Sequence, residues 1–420
     1  MQYTDSACQQ FVVDLHRVVA ASRRAENLPD VAEGLAQAIT KAGLPIDRLQ
    51  LPLSVLFGLK HPIYFGIILT WVRGEGSKAW LRPLEEGQEK RARSLLAKSP
   101  FGPLMDGEVQ QVRHRIRTPG WSDLPQLQAL EEDGFVDYIA TATELPDGAR
   151  QVISIATRAP GGFADDVPER LKALCPPLAL ALFAIYQTQV ASQIATTYLG
   201  QRTGSLVLDG QMGRGRSASL RAGIAFIDIR DFTSLSHTIG VQGMLPLLNA
   251  VFEAIDDAIR PQGGEILKLI GDAALVVFPL LKRDDPRLMS ILRALLDAAA
   301  DAAAATAALG RPLRVGVGFH IGDVLYGNVG SRDRHDFTVM GPAVNLASRL
   351  ESLTKDLEAD VVISNDVARA CRATCGTPEE AAVVLDADVT LAAPVTIRGV
   401  PKPVSLWTIS RQMTTPDGLD

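Results

Sequence analysis

The sequence predicts an α+β chain in two domains. Its 420 residues exceed what one average core accommodates. Helical spacing of apolar residues alternates with short apolar runs of strand length, and in the second half the two recur in a regular order. Composition agrees: hydrophobic residues make up 47% and charged residues 21%, ordinary proportions for a globular protein.

In the first half, Ser6 to Ala42 shows helical spacing through Phe11, Val12, Leu15, Val18 and Val19, then Val31, Leu35 and Ile39, with Gly43 as the stop. Strand-like runs follow at Tyr64 to Val72, Val136 to Thr143 and Gln151 to Thr157, punctuated by Asp147-Gly148 and Pro160-Gly161. A long helical segment starts near Asp165 and runs, broken at Pro176 and Pro177, towards Tyr198. In layout, residues 1–198 resemble a GAF- or PAS-type regulatory domain, which implies a small-molecule or protein signal. An α+β domain serving dimerisation alone has the same layout. Leu199 to Ser219 is Gly-rich and carries arginines. It lacks the Gly-x-x-x-x-Gly-Lys spacing of a phosphate-cradling loop, so residues 199–219 are assigned as a linker.

Residues 220–411 form the second domain and 412–420 a tail. The order is strand (Gly223 to Ile229), helix (Val241 to Ile259), strand (Glu265 to Ile270), turn, strand (Ala273 to Phe278), helix (Asp285 to Leu309), strand (Leu313 to Ile321) and a hairpin through Gly327-Asn328. This βαββαβ pattern predicts a ferredoxin-like split unit with extensions. The Ala-rich run Ala298 to Ala308 favours a closely packed helix.

The net charge of −6 and pI near 5.6 provide no footprint for a nucleic-acid polymer, although local Lys and Arg can still bind a nucleotide. Cys8, Cys175, Cys371 and Cys375 are too few and scattered for a disulfide scaffold, and are read as reduced thiols. Acidic residues in the first twenty positions argue against a secretory signal. Leu51 to Val72 is interrupted by Lys60, His61 and Pro62, and Leu171 to Tyr186 is short and carries two prolines, so neither predicts a membrane span. The expectation is a cytoplasmic protein.

Two apolar runs each end on an aspartate, Asp228 in AFIDIRDFT and Asp272 in KLIGDAALVVF. A bare carboxylate at a strand tip needs an offsetting charge, and in a βαββ arrangement both tips reach one edge, where they can share two divalent ions. Singly, Asp228 also reads as a helix cap and Asp272 as a hairpin residue. The turn Ile229 to Thr233 leads into a helix N-terminus that favours phosphate. Pro342 fits a first helical turn in MGPAVNLASRLESL, placing Asn345 and Arg349 on one face, suited either to a sugar and a phosphoryl group or to solvent and ion pairing. Lys268 and Thr338 lie in otherwise apolar strand sequence.

FIDIRDFTSLS, GGEILKLIGDAALVVF and FTVMGPAVNLASRLE, in this order, closely resemble the class III nucleotidyl cyclases, over roughly Ala222 to Ile409. The resemblance implies that Asp228 and Asp272, with the carbonyl of Ile229, hold two Mg2+ (or Mn2+) ions and that the backbone at Phe232 and Thr233 cradles the β- and γ-phosphates. It implies that Asn345 positions the ribose and Arg349 stabilises the α-phosphate as the 3′-oxygen attacks and pyrophosphate leaves. His320 and His335 are then structural or surface residues. Lys268 with Thr338 implies ATP, since a lysine donates to adenine N1 whereas guanine presents a donor there.

Family members carry a further basic residue near the C-terminus that contacts the triphosphate. In TIRGVPKPVSLW, Arg398 or Lys402 takes that place without clean alignment. The resemblance also implies a head-to-tail homodimer, one protomer giving Asp228 and Asp272 and its partner giving Lys268, Thr338, Asn345 and Arg349. The implied activity is an adenylate cyclase regulated by its N-terminal domain. The alternatives are a guanylate or pyrimidine nucleotide cyclase, or a catalytically silent nucleotide-binding regulator.

Overall fold

The computed structural model describes residues 5–22, 28–54, 66–82, 99–115, 124–210, 217–282, 284–310, 313–332, 334–375, 377–396 and 403–411. Contacts divide the chain into two compact units, Met1–Gln193 and Ile194–Asp420.

The first unit is built on strands β1 (Arg48–Ser54), β2 (Gly66–Val72), β3 (Gly76–Arg82), β4 (Gln111–Arg115), β5 (Asp137–Glu144) and β6 (Arg150–Thr157). They form an antiparallel sheet in the order β3-β2-β1-β6-β5-β4. Sequence reading found β2, β5 and β6 and missed the other three, among them β1, although Arg48-Leu49-Gln50-Leu51 carries the period-two alternation of a strand. Helices α1 (Asp5–Ser22), α2 (Leu28–Lys41) and α5 (Val167–Leu199) supply the residues that bury one face, with Leu35, Ile39, Leu171, Leu174 and Leu178 against Leu49, Leu51, Ile153 and Ile155. The short helices α3 (Gly102–Met105) and α4 (Pro125–Glu132) cover the other through Leu104, Leu127 and Leu130.

Helix α5 corrects an expectation, because it runs unbroken through Pro176 and Pro177 for 33 residues. Two prolines cost backbone hydrogen bonds and strain. The stripe Leu171, Leu174, Leu178 and Leu182, all at most 1% exposed, binds the helix to the sheet on both sides of them. By length and composition alone this helix is long and apolar enough to cross a membrane. Its apolar stripe lies in the core of the unit.

The second unit begins with the end of α5 and helix α6 (Gln201–Leu208), which lies inside the segment assigned as a linker. Then come β7 (Ser217–Ile229), α7 (Phe232–Ile259), β8 (Glu265–Ile270), β9 (Ala273–Pro279), α8 (Leu288–Ala308), β10 (Val315–Gly330), β11 (His335–Met340), α9 (Pro342–Asp356), β12 (Val361–Ser364), α10 (Asn365–Cys375), α11 (Pro378–Leu385), β13 (Asp388–Leu391) and β14 (Leu406–Ser410). The sheet order is β13-β14-β12-β10-β7-β9-β8, with β11 added to β10. Helix α7 starts at Phe232 rather than Val241, with a kink at Gly240, where φ is 66°. The expected hairpin at Gly327-Asn328 is also corrected: both residues lie inside the β10–β11 ladder, Gly327 opposite Thr338 and Asn328 opposite Phe337.

Helices α7 and α8 bury Leu247, Val251, Ile291 and Leu295 against Ala225, Ile227, Val276 and Val317 on one face of the sheet. The other face is covered by α9 and the β10–β11 arm, through Ala343, Ala347, Tyr326, Phe337 and Val339. Glycines in β10 let α9 lie directly on the strand: a Cβ at Gly318 would sit 2.0 Å from the Glu351 nitrogen, and one at Gly316 2.2 Å from Thr354 Oγ1. Strand β8 carries a bulge between Ile266 and Lys268. Glu265 therefore lies opposite Val277 and Lys268 opposite Leu275, which puts both on the face that α9 and the arm cover.

Candidate active site

Asp228 is the penultimate residue of β7, flanked by Gly316 of β10 and Ala273 of β9. Asp272 occupies the tight β8–β9 turn after Gly271, whose φ of 66° suits a glycine. The register brings the two carboxyl groups together. Burial, then the Asp272 charge and a hydrogen bond with Asp272, push the Asp228 carboxyl up to about 6. Its Oδ1 accepts a hydrogen bond from the Ile229 amide at 3.1 Å. Among the described residues, no lysine or arginine forms an ion pair with either aspartate, so the pair is an uncompensated negative site.

Glu351, on α9, extends this negative field. Burial first, then Asp228 and more weakly Asp272, raise it to about 7, against the opposing charge of Arg230. Arg230 is held by the Thr354 and Ala359 carbonyls at 3.2 and 2.6 Å. Sequence reasoning missed both residues. The available signal was Gly316 and Gly318, whose missing side chains bring α9 onto β10 and Glu351 towards Asp228. Among the described residues no three His, Cys, Asp or Glu side chains converge closely enough to ligate one ion. The metal-ligand candidates therefore remain Asp228, Asp272 and the Ile229 carbonyl, an all-oxygen donor set that fits a hard divalent cation.

Phe232 and Thr233 open α7 directly after this acidic corner. Asp231, at φ 56°, precedes the helix without a side-chain cap on its first amides, and instead pairs with Lys355 at 2.6 Å. The first-turn amides are thus available to an anion.

Lys268 reaches the strand that carries Thr338 at a second place. Lys268 Nζ forms a salt bridge with Asp336 of β11, two residues before Thr338. Strand β8 ends the sheet order, whereas β11 lies off it, paired to β10, and the two meet because the β10–β11 arm folds back over the face of the sheet. Asp336 was not anticipated, since it reads as a polar residue of the hairpin. Thr338 is half-buried and Lys268 largely so.

Asn345 is exposed and Arg349 half-buried on α9, and neither has a hydrogen bond or ion pair with Asp228 or Asp272 among the described residues. One copy of the chain therefore groups Asp228, Ile229, Asp272, Phe232 and Thr233 at one corner and bonds Lys268 to the strand of Thr338 elsewhere, with no hydrogen bond or ion pair from Asn345 or Arg349 to the acidic pair among the described residues. Arg398 and Lys402 lie outside the described residues. His320 is buried, bonded through Nδ1 to Ser364 Oγ at 2.7 Å and lowered to about 4 by burial, a packing role; His335 is exposed at the start of β11.

Residues 217–396 match the family model described as "Adenylate and Guanylate cyclase catalytic domain". An adenylate cyclase of Anabaena cylindrica is 37% identical over 158 residues, which are 37% of this chain and 32% of that protein. Adenylate cyclase 1 of Rhizobium meliloti is 30% identical over 151 residues, 35% of this chain and 23% of that protein. The aligned part thus spans a third or less of the length of these relatives. Among solved structures, a bacterial light-regulated adenylyl cyclase aligns at 25% identity and a TM-score of 0.36, covering 46% of this chain and 91% of that one. A guanylyl cyclase aligns at 26% and 0.38, covering 48% and 97%. The residues that match this family model, 217–396, lie in the second unit of the chain and include the strands and helices that carry Asp228, Asp272, Asn345 and Arg349.

Proposed function

We propose that this chain is an adenylate cyclase, converting ATP to 3′,5′-cyclic AMP and pyrophosphate. The observation that supports it most is the meeting of two uncompensated carboxyls, Asp228 and Asp272, beside a helix N-terminus with uncapped amides. Asp228, Asp272 and the Ile229 carbonyl hold two Mg2+ (or Mn2+) ions, which when bound lower the pKa of the ribose 3′-hydroxyl and balance the charge of departing pyrophosphate. The amides of Phe232 and Thr233 receive the β- and γ-phosphates. Lys268 donates to adenine N1 and Thr338 accepts from the 6-amino group. Asn345 orients the ribose, and Arg349 neutralises charge developing on the α-phosphate. No protein nucleophile is needed, because the attacking oxygen belongs to the substrate.

Among the described residues neither Asn345 nor Arg349 bonds the acidic pair, which accords with a homodimer in which each site combines Asp228 and Asp272 of one copy with Lys268, Thr338, Asn345 and Arg349 of the other. Arg398 or Lys402 contributes to triphosphate binding in the same reading. The six-stranded antiparallel sheet of the first unit, with long helices on one face, supports a GAF- or PAS-like regulatory role for residues 1–198. A cytoplasmic location accords with ATP as substrate.

The decisive experiment is turnover of each of the four nucleoside triphosphates by purified full-length protein with Mg2+ and with Mn2+. ATP is the expected substrate. Preference for GTP would overturn the adenine assignment of Lys268 and Thr338, and no turnover of any of them would favour a silent nucleotide-binding regulator.

A further inference from the structure

The opening segment of the second unit is folded onto the strands that carry the base-reading residues. After α5 the chain turns at Gly200, whose φ is 84°, and enters α6. A Cβ at Gly200 would lie 1.8 Å from Glu265 Oε1, so the turn leaves room for that carboxylate and nothing more. The Glu265 carboxylate accepts a hydrogen bond from the Arg202 amide at 3.3 Å and faces the Thr203 amide as well, capping the first turn of α6 from outside the helix. One residue on, the fully buried Thr203 hydroxyl bonds the Tyr326 hydroxyl of β10 at 2.7 Å, and the Arg202 guanidinium lies 5.8 Å from the Tyr326 ring. Gly204 has no room for a side chain, because a Cβ there would meet the Ala195 backbone at 2.7 Å.

Both anchors sit next to the base-reading residues. Glu265 shares β8 with Lys268, and the bulge at Leu267 puts the two on one face. Tyr326 precedes Gly327, the register partner of Thr338, and its ring packs edge-on against Phe337 at 4.5 Å. A shift of α6 therefore pulls on the Lys268 strand through Glu265 and on the Thr338 strand through Tyr326, while among the described residues no hydrogen bond or ion pair joins α6 to Asp228 or Asp272.

We propose that Glu265, Tyr326 and Thr203 are positioning residues that clamp α6 to β8 and to the β10–β11 arm, so that the placement of this connector sets the affinity of the catalytic unit for the base of its substrate. This rests on the cyclase reading and adds to it the route by which the connector acts: on base recognition rather than on the metal end.

The test uses full-length protein carrying Thr203→Val, Tyr326→Phe, both together, Glu265→Ala or Glu265→Gln. Four quantities are read: KM and kcat for ATP, inhibition by pyrophosphate, which has no base, and hydrogen exchange of the α6 and β8 amides. Thr203→Val and Tyr326→Phe should each raise KM on the order of fivefold, as expected for one lost buried hydrogen bond, and the double variant should be no worse. Glu265→Ala should raise KM further and speed α6 exchange, and Glu265→Gln, which keeps an acceptor oxygen, should restore much of both. Pyrophosphate inhibition should stay unchanged throughout. Faster α6 exchange with unmoved KM overturns the clamp, and so do KM and pyrophosphate inhibition moving together, the mark of a general folding or assembly defect. Wild-type protein that turns over no triphosphate sinks the cyclase reading itself, whereas active wild type with indifferent variants sinks only the clamp.

Discussion

Asp137 in the first unit and Asp228 in the second are both strand carboxylates, the first fully buried and the second half-buried, and their surroundings are opposite. Asp137 is fully buried and compensated: the Arg113 guanidinium reaches it at 2.7 Å, Arg115 at 4.0 Å, and the Phe163 amide donates to it at 2.9 Å. Asp228 faces another carboxyl, with Glu351 adding to the field and only an adjacent amide donating. A buried charge with its partners present is architecture, and one that lacks them is held for something that arrives. The contrast separates the two aspartates by the charges and donors around them, not by residue type.

The comparison is broken most directly by removing each charge. Asp228→Ala should lower ATP turnover by roughly a thousandfold or more, as loss of a metal carboxylate does, with thermal stability unchanged or raised because repulsion with Asp272 is relieved. Asp137→Ala should do the reverse, destabilising the first unit by about 3–5 kcal/mol on denaturant unfolding by stranding Arg113. A metal-dependent assay beside a urea titration distinguishes them, and a large stability loss in Asp228→Ala would erase the distinction.

A smaller effect sharpens the composite-site reading. Inactive Asp228→Ala and inactive Arg349→Ala proteins, mixed and allowed to exchange, should recover roughly a quarter of wild-type activity, because about half of the dimers are mixed and each has one intact site of two. Absence of recovery in a verified heterodimer counts against sharing.

The candidate site residues were easier to single out in the sequence than the scaffold. Asp228 and Asp272 stand out because each ends an apolar run, and Asn345 and Arg349 because Pro342 sets the helix phase. Glu351 was hidden, since a glutamate near the middle of an amphipathic helix looks solvated until the glycines of β10 are seen to draw that helix inward. The connector was misjudged for a related reason. Gly200 and Gly204 are punctuation in a sequence, but here one makes a sharp turn beneath Glu265 and the other admits the backbone at Ala195. Gly327-Asn328 carries a turn signal, yet the long pairing of β10 overrides it.

The smallest expected effect is on pH dependence, with opposite signs at two carboxylates. Without divalent ions, the raised Asp228 carboxyl makes the folded state bind more protons than the unfolded one between 3.8 and about 6, so its contribution to stability falls as pH rises through that window. Asp285 is the mirror case. Its carboxylate is held down to about 2, chiefly by the Arg287 side chain, so its stabilisation is present above 3.8 and is lost as pH falls towards about 2. Unfolding of wild type against Asp228→Asn and Asp285→Asn across pH 2 to 7 should give differences that slope in opposite directions. Parallel slopes would mean that the two sites do not differ as described.

The ladder between β7 and β10 has a consequence for synthesis of the chain. All 13 residues of β7 pair with β10, which begins at Val315 after two helices and the β8–β9 hairpin have been made. Until then β7 has only β9 on one side, and its other edge is open. Folding of the second unit thus waits on a distant partner, and a nascent or truncated chain ending before Val315 should stick to itself rather than rest as a soluble fragment.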